Sequence, residues 1–387
     1  MSYPSPLWQP GPGEPARIAD APASATAAVV PPRPRRGGAI LWVAAALLVP
    51  VLALLVLYFL RFLGPAASIV GMILAVVPFV IVWFAVRLID RWEPEPRRLL
   101  VFAVAWGAIA AVAIALGVDA LLSFLTGGLG DVFRSVVQAP IVEEIAKGLG
   151  LLLLYAGARR HLDGPVDGIV YGALIGAGFA FTENIQYFAV SFIEGGTVQV
   201  VSVFFLRAVL SPFAHVMFTS LTGFAFGLAA RRALRTGPAM RYALPGLVGA
   251  MLLHGLWNGS ATFFNFFEVY ATLQVPLFVL FILGILALRR EEARLTRARL
   301  GEYAAAGWFT PQEVDMLATG PGRRSSVAWA RSLPGDRSAV MKTFIRDATA
   351  LAAARQRALS GRDATAPAQE RELLQRTTAA RAALLAR

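Results

Sequence analysis

Seven side chains in this sequence have types and spacings suited to chemistry. Glu143, Glu144 and Lys147 lie in "QAPIVEEIAKGLGLLLLYA" (138–156) and Glu183 in "GFAFTENIQYF". His215 lies in "SPFAHVMFTSLTG", and His254 with Asn258 in "MLLHGLWNGSA". Each stretch is otherwise apolar. An ionisable group at membrane depth costs about 2.5–3.5 kcal/mol on insertion scales, so such a group needs a partner or a task. Carboxylates, imidazoles and an amide together can activate water, donate to an oxyanion, ligate a metal or relay protons. Two of the chain's three histidines belong to this set; the third, His161, sits in the "ARRHLDG" loop and reads as solvated. Lys147 is one of only two lysines among 36 basic residues, the other being Lys342.

Helical spacing sorts the set. Residues four apart share a face, which aligns Glu143 with Lys147, Phe179 with Glu183, and His254 with Asn258. Adjacent residues diverge by about 100°, so Glu143 and Glu144 cannot form a two-carboxylate dyad within one helix. One is expected to face a cavity while the other is held by a base such as Lys147 or Arg207. Gly148 and Gly150, and Gly172, Gly176 and Gly178, read as sites of close helix approach.

The elements that carry these residues follow from composition. The chain has 387 residues, 57% hydrophobic and 16% charged, with a mean hydropathy of +0.62. That balance excludes an ordinary soluble domain. Apolar runs long enough to cross about 30 Å of hydrocarbon recur near 39–60, 67–87, 99–125, 132–156, 167–190, 203–230, 242–264 and 269–288. The expected fold class is therefore an all-α polytopic membrane protein, a bundle of about eight transmembrane helices with a helical cytoplasmic tail. Three regions are expected: a Pro-rich disordered arm at 1–38, a transmembrane domain at 39–288 and a helical tail at 289–387. In the tail, "TPQE" at 310–313 reads as a helix start with Thr310 as cap. Absence of cysteine excludes disulfides and thiolate chemistry.

Arginines alternate along the connections. They gather before the first run (Arg33, Arg35, Arg36) and after the second, fourth, sixth and eighth, as at Arg97 and Arg98, Arg159 and Arg160, Arg231 and Arg232, and Arg289 and Arg290. By the positive-inside rule both termini are cytoplasmic, in a multi-pass protein of the plasma membrane. The net charge of +12 then reports topology and attraction to lipid headgroups rather than nucleic acid. Counted from the non-cytoplasmic end of each span, Glu143, His215 and His254 all fall about 15–18 Å deep. Glu183 and Asn258 fall nearer that surface. Five polar side chains from four helices are thus expected to converge.

In order along the chain, "EEIAK", "FAFTEN", His215 in its apolar stretch and "HGLWN" resemble the PrsW family of intramembrane proteases, as does the charged elbow "DRWEPEPRRLL" at 90–100. More distantly the pattern is similar to the CAAX-prenyl protease superfamily of glutamate intramembrane proteases. It departs from that superfamily where Glu183 stands in place of a histidine, and His215 is the expected substitute. The resemblance implies an intramembrane endopeptidase that cuts a transmembrane protein, with anti-sigma factors the known type of substrate. Glu143 is the expected general base, and His215 its partner on the water or the leaving amine. His254 and Asn258 are the expected oxyanion donors, with Glu144 and Lys147 orienting and Glu183 an auxiliary acid.

Two other chemistries use the same residues. Glu143, His215 and His254 form a donor set for zinc with a fourth position for water, although no HExxH is present. The metal-free glutamate mechanism ranks ahead of it, so no cofactor is the first expectation and zinc the second. A proton- or cation-coupled transporter is the non-enzyme alternative, but no internal repeat or pair of matching broken helices accompanies it.

Overall fold

The computed structural model describes residues 36–90, 94–361 and 365–385. Most of the expected arm (residues 1–35) and part of the charged elbow (Arg91, Trp92 and Glu93) lie outside the described residues. All regular structure among the described residues is helical. They fall into two compact units, divided between Arg290 and Glu291.

In the larger unit α1 (Arg36–Phe62) and α2 (Gly64–Ile89) are continuous apolar helices. The third helix, α3, runs over Arg97–Thr126 and is interrupted by a π-turn at Trp106–Ala111. It stops at Gly127, whose φ of 72° an L side chain rarely adopts. The fourth, α4, begins at Asp131, passes through a π-turn at Arg134–Gln138 and continues as Ala139–Ala158. Then come α5 (Pro165–Phe204), α6 (Ala214–Arg231) and α7 (Thr236–Phe263). The last, α8, begins at Phe266 and belongs to this unit as far as Arg290.

Five stretches are long and apolar enough to cross a membrane by length and composition: Ala39–Phe62, Gly64–Ile89, Arg97–Thr126, Pro165–Arg231 and Phe266–Ala305. The expectation of about eight spans also counts α4, whose Ala139–Ala158 segment carries three charged side chains, and α7, and divides the 67-residue stretch in two. That stretch breaks where the chain must turn. Gly196 adopts φ 60°, ψ −150° inside α5. The expected straight span at 203–230 is instead interrupted at Ser211–Phe213, between a π-turn (Phe205–Leu210) and α6. Pro212 is the physical reason: it lacks an N–H and disfavours helical backbone in the residue before it. The break leaves His215 as the second residue of α6, in its first turn.

Glycine sets the separation of the central helices. A Cβ on Gly176 would lie 2.4 Å from the carbonyl oxygen of His215, so any larger residue would push α5 and α6 apart. Gly172 and Gly178 are similarly pressed on Thr219 and Val104. In α4, Gly150 admits the indole of Trp106, which donates to the Ala146 carbonyl at 3.0 Å. Gly148 is in ordinary contact with Leu247 and Thr222.

The smaller unit packs Leu300, Tyr303, Phe309, Leu317, Phe344 and Leu351 together. Its helices are α9 (Pro311–Leu317), α10 (Gly320–Ser332), α11 (Ser338–Ser360) and α12 (Ala366–Leu385). Thr310 caps α9 in the reciprocal manner expected: its hydroxyl accepts from the Glu313 N–H at 3.1 Å, and the Glu313 carboxylate accepts from the Thr310 N–H at 2.7 Å.

Candidate active site

Six of the seven singled-out side chains meet between α4, α5, α6 and α7. Lys147 lies at their centre and is completely buried. Its Nζ reaches Glu144 Oε1 at 2.8 Å, Glu143 Oε2 at 3.1 Å and His215 Nδ1 at 3.0 Å. The same nitrogen stands 3.8 Å over the Phe179 ring. Two carboxylates and an aromatic face are the surroundings of an ammonium. Lys147 therefore holds both glutamates, not one of them.

Arg207 is committed elsewhere. Its guanidinium bonds Glu183, donates from Nε to Asn184 Oδ1 at 2.6 Å, and stacks 3.8 Å over Tyr187. Glu183 also meets His215 Nε2 at 2.9 Å. An ammonium only donates, so His215 Nδ1 must accept, and the ring proton sits on Nε2, where it is donated to Glu183. Both nitrogens of His215 are thus engaged.

His254 has the opposite tautomer. Its Nδ1 lies 3.1 Å from Glu144 Oε1, and a carboxylate only accepts, so the proton is on Nδ1. Glu144 accepts again from the Thr219 hydroxyl at 3.0 Å, and Phe218 stacks on the imidazole at 4.7 Å. The lone pair on His254 Nε2 faces Glu143 Oε2 across 4.0 Å. That separation is too long for a hydrogen bond.

Asn258 stands apart from this cluster. Its Nδ2 donates to the Ser135 carbonyl at 2.9 Å. The reason lies in the π-turn before the glutamates. Ala139 N–H donates to the carbonyl five residues back, at Arg134, so the next residue would serve Ser135. That residue is Pro140, which has no N–H. Asn258 supplies the missing donor from α7 and ties that helix to the start of the segment carrying Glu143 and Glu144.

Several participants were not singled out from the sequence. Thr219 lies one turn beyond His215, on its face, and Asn184 adjoins Glu183; helical spacing could have identified both. Asp119 is the one acid inside the third apolar run. It takes a two-pronged bond from Arg134, at 3.1 Å from Nε and 2.7 Å from Nη2, and a third from Gln138 Nε2 at 2.9 Å. The π-turn is therefore held from α3 as well as from α7.

One ligand atom each from Glu143, His215 and His254 lies within 4.8 Å of the others, a distance set suited to a metal ion. The donor types fit zinc, and each imidazole has a carboxylate on its other nitrogen, as metal-bound histidines do. The lone pairs do not fit. His215 has one lone pair, on Nδ1, and the Lys147 ammonium takes it. As arranged, the three side chains cannot ligate a metal together.

Residues 95–285 match the sequence model described as PrsW family intramembrane metalloprotease. Among curated proteins, the chain is 34% identical over 154 residues to the Protease PrsW of Clostridioides difficile (strain 630), covering 39% of this chain and 63% of that protein. It is 28% identical over 169 residues to the Protease PrsW of Bacillus subtilis (strain 168), covering 44% and 72%. With the Protease PrsW of Oceanobacillus iheyensis it shares 30% identity over 155 residues, covering 40% and 63%. The match thus spans less than two thirds of the first and third of these relatives. No solved structure matches the chain. The matched segment contains all the helices that supply the cluster, and over it the chain is similar to the PrsW family.

Proposed function

We propose that the chain is an intramembrane endopeptidase that hydrolyses a peptide bond of a transmembrane protein, with Glu143 as general base. The observation that carries this reading is the 4.0 Å gap between Glu143 Oε2 and His254 Nε2, two hydrogen-bond acceptors with nothing to donate to each other. A water oxygen about 2.8 Å from both would subtend roughly 90° across that gap, close to the angle between its own two O–H bonds. Such a water donates one hydrogen bond to each acceptor and directs its lone pairs at the carbonyl carbon of the substrate. Glu143 takes one proton as the O–C bond forms, then returns it to the amide nitrogen as the C–N bond breaks. Glu144 keeps His254 in the tautomer that accepts from the water. Lys147 balances the two glutamates.

His215, with both nitrogens engaged, acts as a spacer between Lys147 and Glu183 rather than on the water. Glu183 is the anchor for His215 and Arg207. Asn258 retains a second N–H on Nδ2, and the oxyanion is assigned to it. The substrate class is a membrane protein, with anti-sigma factors the type suggested by the family resemblance. Arginine placement supports a plasma-membrane location with both termini cytoplasmic. The PrsW relatives are proteases, which sets the transporter alternative aside.

A metal-dependent version is favoured by one observation, the proximity of Glu143, His215 and His254. A bound zinc would supply Lewis-acid activation of water. It requires Lys147 to release His215.

The test is cleavage of a single-span membrane protein by the full chain in proteoliposomes. Glu143→Gln keeps the side-chain size and loses the proton acceptor, so cleavage falls by about 10² or more. Undiminished cleavage in both Glu143→Gln and Glu144→Gln would overturn the reading.

A further inference from the structure

We propose that Lys147 is the resident cation of this cluster and that it keeps a divalent metal out. The inference concerns the site of the proposed hydrolysis and makes Lys147 a positioning residue there. Three features support it.

The first is competition for donor atoms. The Lys147 ammonium is hydrogen-bonded to His215 Nδ1 and to Glu143 Oε2, two of the three side chains a metal would need. A neutral imidazole has a single lone pair, and the remaining nitrogen of His215 is occupied in donating to Glu183. Metal and ammonium therefore exclude one another at His215.

The second is charge. Glu143, Glu144 and Glu183 face Lys147 and Arg207, which leaves the cluster one negative charge in excess. Adding a divalent ion beside the ammonium would reverse that sign in a buried place, where like charges repel most strongly. Removing the lysine charge instead leaves three carboxylates against one guanidinium, an excess that a single divalent ion neutralises.

The third is confinement. Lys147 is completely buried, packed against Phe179 and bonded to three partners. Withdrawing it would leave Glu143 and Glu144 without their shared cation. The ammonium keeps these carboxylates in place, the service a metal would otherwise perform.

The inference predicts a gain of function in binding. Lys147→Met preserves much of the side-chain length and removes the charge, freeing His215 Nδ1 beside Glu143 and His254 Nε2. The full chain is purified in detergent with excess zinc, dialysed, and its metal content measured by mass spectrometry. The wild-type chain is expected to hold well under one zinc per molecule and K147M about one, the count of a three-ligand site. Adding His215→Ala to K147M should abolish the bound zinc. Stoichiometric zinc in the wild-type chain that His215→Ala removes would overturn the inference, and so would a folded K147M with no zinc. Should K147M fail to fold, the wild-type measurement decides the matter, with Lys147→Arg as the charge-preserving control expected to stay metal-free. No substrate enters the measurement, so it can fail independently of the peptidase reading.

Discussion

Glu144 receives the Nδ1 proton of His254 at 3.1 Å, and thereby decides which nitrogen of that imidazole faces Glu143. Glu144→Leu removes the acceptor that fixes this tautomer, which a glutamine would keep by placing its oxygen at the position shared by His254 and Lys147, and lets the imidazole proton move to Nε2. A water would then meet an N–H at His254 instead of a lone pair. Cleavage should fall by about 10² or more with little change in substrate affinity, since the Glu144 carboxylate is buried against Lys147, His254 and Thr219. Single-turnover rates measured against substrate concentration separate the two quantities. A change confined to KM would contradict this role.

Asn258 and Pro140 are coupled through the Ser135 carbonyl. Asn258→Ala removes the donor that replaces the missing proline N–H, and losing a hydrogen bond of this kind costs about 0.5–1.5 kcal/mol. Pro140→Ala restores a backbone N–H in the right register. The double variant should therefore regain much of the stability lost in Asn258→Ala, as read from thermal unfolding in detergent. Simple additivity of the two effects would refute the coupling.

Trp106 and Gly150 should behave as a matched pair. A Cβ at position 150 would lie 2.3 Å from the indole Cδ1, so Gly150→Ala displaces the ring and breaks its bond to the Ala146 carbonyl. Overpacking of this kind costs about 1–3 kcal/mol. A lowered Tm is expected, much of it recovered when Trp106→Phe is added. An unchanged Tm for Gly150→Ala would show that the helices can part freely there.

Asp119 and Arg134 form an ion pair outside the candidate site, between α3 and the π-turn that precedes Glu143. Asp119→Ala leaves Arg134 without its two-pronged acceptor and Gln138 without its partner. The expected result is a lower Tm and slower cleavage together, because the turn that sets the register of Glu143 and Glu144 loses one of its two anchors. Exchanging the two residues, Asp119→Arg with Arg134→Asp, should restore part of both. Cleavage unaffected by Asp119→Ala would place the pair outside the mechanism.

Much of this protein was legible from its sequence. Runs of apolar residues specify membrane helices because hydrocarbon leaves the backbone no other partner, and a charge inside such a run stands out at once. The same reasoning selected Glu143, Glu144, Lys147, Glu183, His215 and His254. Matching depths along antiparallel helices gave grounds for expecting them together. The capping of α9 by Thr310 was readable because it depends on residues three apart.

Tertiary structure decided the partners. Nothing in the spacing of "EEIAK" says that one lysine holds both glutamates and His215, since that depends on how closely Gly172 and Gly176 let α5 approach α6. Nor does "HGLWN" say that Asn258 turns to Ser135, because the vacancy it fills is made by a π-turn and a proline over a hundred residues earlier. Helical periodicity determines which side chains share a face. Which hydrogen bond each one makes is set by donors and acceptors that only the packed helices bring within 3 Å.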